Sequence, residues 1–162
     1  MTYISIAIVY LISAVSSSSS DALLGIEGIS KTIHSRSELY AILNGYDQTT
    51  GITLLALTGD LSYLNKGDIK QYKAMQDAVQ LSAYKSSFVI YTGSLTDSDM
   101  RVLGVRKSQL PVVVALTGSG VVRYDGGRQS ASQVMRWIVR RVNIDKKMRR
   151  NNGDHGVDEG DL

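Results

Sequence analysis

The residues of this chain that can do chemistry are few, and their spacing rules out most of it. There is no cysteine among 162 residues, which excludes thiol exchange, disulfides, Cys-ligated zinc and iron–sulfur clusters built from this chain alone. His34 and His155 are the only imidazoles. They lie too far apart in sequence to suggest a catalytic triad or a multi-histidine metal site. Asp60, Asp68, Asp97 and Asp99 invite a calcium reading, but their spacing fits no EF-hand loop, and helix capping with solvated surface is the expected role. The glycines at 118–120 and 126–127 do not lead from a strand into a helix with a Lys-Ser/Thr pair, so no phosphate loop is expected. Gly126 and Gly127 are expected to permit positive φ. Arg128 either pairs with an acidic residue or stays solvated. No cofactor and no metal are expected.

The strongest charge feature is a run of cations. Arg136, Arg140, Arg141, Lys146, Lys147, Arg149 and Arg150 crowd one short segment of a chain whose net charge is only +3. Two readings stay open. Cations at a helix C-terminus complement its dipole, with solvated tail beyond. Alternatively the segment docks an acidic protein, anionic lipid or nucleic acid. No aromatic interleaving or RNA-binding signature accompanies it, so nucleic acid is not the expected partner.

The elements that must position these residues follow from patterning. With 43% hydrophobic and 20% charged residues, the chain reads as one globular domain. Residues 4–15 form an apolar run shorter than the roughly 20 residues that span a bilayer. With small residues at Ser20 and Ala22, 1–22 reads as a secretory signal peptide. Lys and Arg are missing from "MTY", and a buried strand or an uncleaved anchor is the alternative; only the anchor would bring membrane contact. A short strand or extended entry is expected over 29–35, then a helix capped by Ser35 and Glu38 with Leu39, Ile42 and Leu43 inward. Continuous apolar runs at 51–59 and 86–93 read as parallel strands covered on both faces. Helical spacing of Ile69, Tyr72, Met75 and Ala78 or Val79 places a helix over 66–83. A short helix capped by Asp97 occupies 97–105. A strand opens at Pro111, the only proline, and a tight turn pairs it with 120–127. A helix starts at Ser130 or Ser132 and presents Val134, Ile138 and Val142. Periodicity ends there, and 143–162 reads as a charged, disordered tail.

At residues 103–138, "LGVRKSQLPVVVALTGSGVVRYDGGRQSASQVMRWI", the chain closely resembles the C-terminal half of thioredoxin-like domains of the protein disulfide isomerase family. The shared features are a short helix ending in Gly-Val, an x-Pro before a buried strand, and a strand pair closing in Tyr-x-Gly-Gly-Arg before an amphipathic helix. The resemblance implies an α/β, thioredoxin-like fold over 23–142: a central mixed sheet, helices on both faces, a C-terminal β-hairpin and a last helix. It also implies a cis bond before Pro111, with the Leu110 amide and carbonyl open to an extended peptide at the sheet's rim. In redox-active members a Cys-x-x-Cys pair follows the strand corresponding to 51–59. Here 58–68 reads "TGDLSYLNKGD", and Ser62 cannot replace a thiol.

The chain thus resembles the family's redox-inactive members, which serve as spacers, docking surfaces and binders of unfolded peptide. A non-enzymatic, chaperone-like or adaptor role follows, with Gly59, Asp60, Leu61, Ser62, Tyr63, Leu110 and Pro111 as the rim that meets peptide or partner protein. The alternative is a structural subunit docked through the basic segment. The resemblance favours the endoplasmic reticulum lumen over export, although the last four residues, 159–162, are not a Lys-Asp-Glu-Leu retrieval signal.

Overall fold

The computed structural model describes residues 30–45 and 51–153. The expected signal peptide and residues 154–162 lie outside the described residues. Strand β1 (Lys31–Ile33) leads to helix α1 (Arg36–Gly45), β2 (Thr53–Leu57), α2 (Lys66–Leu81), β3 (Ser87–Tyr91), α3 (Asp97–Val102), β4 (Val112–Thr117), β5 (Gly120–Arg123) and α4 (Ala131–Gly153). Single 3-10 turns sit at Leu61–Tyr63 and Lys107–Gln109.

The five strands form one sheet in the order β1-β3-β2-β4-β5. The first three run parallel, β4 runs antiparallel to β2, and β5 closes a hairpin on β4. This is the thioredoxin-like arrangement: a mixed sheet with helices on both faces and a terminal hairpin plus helix.

The continuous apolar runs are explained by two cores. Successive strand side chains point to opposite faces. Leu54, Ala56, Phe88, Ile90, Val113 and Ala115 therefore face one core with Tyr72 and Met75 of α2 and Val134, Ile138 and Val142 of α4. Leu55, Leu57, Val89, Tyr91, Val112 and Val114 face the other, with Leu39 of α1 and Met100 of α3. A strand apolar on both sides cannot alternate, hence the unbroken hydrophobic stretches.

Helix starts follow local chemistry. The Ser35 hydroxyl accepts from the Glu38 N–H at 3.3 Å, and Glu38 Oε2 accepts from the Ser35 N–H at 2.9 Å and the His34 N–H at 3.1 Å. These bonds hold the Glu38 carboxyl down at about 2, with the Ser35 backbone N–H contributing most. At α2 the cap is Asn65, whose Oδ1 accepts from Gly67 and Asp68 while Asp68 Oδ2 accepts from the Asn65 N–H.

Three expectations are corrected. The cap of α3 is Thr96 rather than Asp97: Thr96 Oγ1 accepts from the Asp99 N–H and Asp99 Oδ2 from the Thr96 N–H, at 3.2 and 3.0 Å. The reciprocal pair needs partners three residues apart, which leaves Asp97 exposed inside the first turn. Of the paired glycines only Gly127 has positive φ, 64°. Gly126 lies against Tyr124, where any Cβ would collide with the ring.

The largest correction concerns 143–153, which is helix and not tail. Apolar periodicity stops at Val142, but polar contacts continue. The Ser119 hydroxyl in the hairpin turn donates to Asp145 Oδ1 at 2.7 Å, and the Tyr84 hydroxyl donates to Asn143 at 3.4 Å. The Lys146 ammonium lies 4.9 Å from the Tyr84 ring centroid.

Candidate binding groove at the strand ends

Parallel strands β2 and β3 end side by side, and the chain leaves them toward opposite faces, α2 on one side and α3 on the other. A crevice at the carboxyl ends of such strands is where open α/β sheets bind ligands. Here it is a groove of about 1060 Å³. Gly59, Asp60 and Tyr63 come from the loop after β2, and Thr92 to Leu95 from the loop after β3. Asp97 and Met100 of α3, with Lys107, Ser108 and Leu110 of the loop into β4, complete it.

Of the rim residues expected from the sequence, Gly59, Asp60, Tyr63 and Leu110 meet on this groove. Gly59 takes φ 65°, the left-handed region open to glycine, and a Cβ there would press to 3.2 Å from Leu110 Cδ1. Leu61 and Ser62 do not line it. Leu61 packs toward the α2 core, and the Ser62 N–H donates to Asp60 Oδ1 at 2.9 Å. That bond lowers the Asp60 carboxyl below its ordinary value.

Pro111 faces elsewhere. Its peptide bond to Leu110 is cis, but its ring lines a separate hollow of about 180 Å³ with Tyr72, Tyr124 and Arg128 among its walls. Arg128 Nη2 there approaches Asp68 Oδ1 at 3.4 Å and Asn65 Oδ1 at 3.3 Å. The expected open amide at Leu110 is also corrected. Its N–H donates to the Lys107 carbonyl at 3.3 Å, closing the 3-10 turn. The Leu110 amide is thus already spent within the chain.

The groove wall is braced from behind by Asp99, only 1% exposed. Its Oδ1 accepts from Arg36 Nε at 2.9 Å and from the Tyr40 hydroxyl at 2.9 Å, and lies 2.8 Å from Arg36 Nη2. The Thr96 backbone N–H, foremost, and then the Thr96, Arg36 and Tyr40 side chains hold the Asp99 carboxyl well below the usual carboxylate range, against the opposing effect of burial. A buried charge is tolerated only when so paired. The Tyr91 hydroxyl donates to the Ser94 carbonyl at 2.9 Å, and any Cβ on Gly93 would strike the His34 carbonyl and the Tyr91 ring. These ties fix the 92–95 loop. No motif marked that loop, Met100, Lys107 or Ser108 beforehand; the adjacency of two parallel strand ends was the one available signal.

The groove offers carboxylates, hydroxyls, one ammonium and apolar surface. Among the described residues no three His, Asp or Glu side chains gather as metal ligands, and none of their helices is long and apolar enough to cross a membrane.

The basic segment lies on α4. Arg136, Arg140, Lys146, Lys147, Arg149 and Arg150 are exposed, whereas Arg141 is drawn inward, its Nη2 donating to the Ser119 hydroxyl at 3.3 Å and its Nε lying 3.7 Å from Asp145. Met135, Val139 and Ile144 form a shallow apolar strip between Arg136, Arg140 and Lys147.

No family model matches the chain, and no curated protein matches its sequence. Solved structures do resemble it. The first thioredoxin domain of mouse protein disulfide-isomerase A4 gives a TM-score of 0.48 at 14% identity, over 67% of this chain and 72% of that one. Human ERp44 in its zinc-bound form gives 0.48 at 12% identity, over 69% of this chain and 31% of that one. The J-Trx1 fragment of ERdj5 gives 0.46 at 16%, over 69% and 49%. The chain thus spans under half the length of the last two. The thioredoxin-like fold itself is carried by the strand order and pairing described above.

Proposed function

We propose that this chain is a non-catalytic, thioredoxin-fold binding module of the secretory pathway, chaperone-like or adaptor in role, which holds an extended peptide or partner segment at the groove. The observation that carries the reading is a groove of about 1060 Å³ at the strand ends in a chain with no thiol to react there. Secretory routing rests on the apolar run at 4–15, and mass spectrometry of the processed N-terminus tests it. Binding is tested with unfolded-client aggregation assays and labelled peptides. Tyr63→Ala and Leu110→Ala should each weaken binding severalfold while leaving the circular dichroism spectrum unchanged, and insulin reduction should be blank. Full binding retained in both variants refutes the site.

A second reading is favoured by the six exposed cations on α4: docking of an acidic protein surface as part of a larger assembly. Reversing Arg136 and Arg140 to Glu should abolish a salt-sensitive association of that kind and leave groove binding intact.

A further inference from the structure

We propose that the groove selects peptides carrying a cationic side chain beside an aliphatic one. This rests on the binding site proposed above and adds the chemical class of its ligand. Two carboxylates, Asp60 and Asp97, line the groove against a single cation, Lys107, the inverse of a chain whose net charge is +3. Arg101 and Arg106 are exposed nearby in sequence but stand outside the lining. The Ser62 N–H donates to Asp60 and lowers its carboxyl below the ordinary value.

Three residues after Asp60, and on the same groove, Tyr63 is 71% exposed, more than any other large hydrophobic side chain among the described residues. An aromatic face open to water on the same groove as a carboxylate suits guanidinium or ammonium groups, by cation–π contact and by charge together. Leu95, Met100 and Leu110 supply the apolar remainder of the lining, enough to take a neighbouring aliphatic side chain. An acidic ligand would meet two like charges there and is instead matched by the cations of α4.

The test uses the full chain and three fluorescein-labelled peptides of one apolar scaffold, differing at a single position as Arg, Gln or Glu, read by fluorescence anisotropy. The Arg peptide should bind roughly fivefold tighter than the Gln peptide and the Glu peptide weakest, as expected for partly exposed charge pairs. In the Asp60→Asn/Asp97→Asn double variant the ratio of Arg- to Gln-peptide affinity should fall to about one. Tyr63→Leu, which keeps the apolar bulk, should narrow the Arg-over-Gln ratio about twofold. Equal binding of all three peptides, still weakened by Leu110→Ala, overturns the selectivity and leaves the site standing. Tighter binding of the Glu peptide also overturns it. No binding of any peptide overturns both selectivity and site.

Discussion

The groove and the outer face of α4 are both exposed surfaces, yet they are built in opposite ways. The groove is concave, carboxylate-lined and made of four separate loop and helix segments held by buried polar bonds: Asp99 to Arg36, Tyr40 and Thr96, and Tyr91 to Ser94. The face of α4 is convex, cationic and continuous, a single helix whose distal half is held by a few polar contacts at Ser119 and Tyr84. Shape in the first depends on the core behind it. In the second it depends only on the helix being there. Perturbing the core beneath α3, which α4 does not join, should therefore damage the groove more than the basic face, and perturbing α4 charges should do the reverse.

The largest effect is expected from Leu103→Ala. Leu103 is 2% exposed in the core beneath α3, and such truncations cost about 2–5 kcal/mol. Urea denaturation should show that loss, with groove binding falling at urea concentrations where α4 helicity persists. Equal sensitivity of both regions would erase the contrast.

Acid should act on the groove side next. Glu38 and Asp99 both have folded-state values lowered from 4.5 and 3.8, Glu38 to about 2. Groups with lowered values stabilise the fold above the unfolded pKa and lose that contribution as pH falls through the folded one. Stability measured between pH 5 and 2 should therefore decline, and Glu38→Gln should flatten the decline toward pH 2. Asp99→Asn should flatten it further and lower the melting temperature already at pH 7, because Arg36 and Tyr40 lose a charged acceptor. An unchanged slope in both variants removes the pinned-carboxylate account.

On α4, Asp145→Ala should cost about 0.5–1.5 kcal/mol, the net worth of a hydrogen bond, and should raise hydrogen exchange at 143–153 without touching groove affinity. Smallest is Arg140→Glu. An exposed charge change of this kind stays within about 0.5 kcal/mol, so thermal melts should barely move while salt-dependent association shifts.

Much of the fold was legible because its cause is local or periodic. The apolar runs at 51–59 and 86–93 have the length and pattern of strands buried on both faces, and Ser35 with Glu38 announced α1. The cap of α3 was misplaced because Thr96 and Asp97 are adjacent capping residues, and only Asp99, three residues beyond Thr96, decides between them. The distal half of α4 was illegible for a different reason. Its partners Ser119 and Tyr84 lie 26 and 59 residues away, and no window of sequence shows such a contact. At the groove, the resemblance pointed to Gly59, Asp60, Tyr63 and Leu110. It also grouped Leu61, Ser62 and Pro111 with them, although none of these lines the groove and Pro111 faces a different hollow.

The bond from Ser119 to Asp145 carries the folded unit past the last apolar position of α4. Hydropathy alone would cut this chain after Val142 and treat the rest as dispensable. Such a cut would take the Asp145 acceptor from the Ser119 hydroxyl and the Lys146 ammonium from the Tyr84 ring, so a truncation that keeps both contacts has to retain the helix past Lys146.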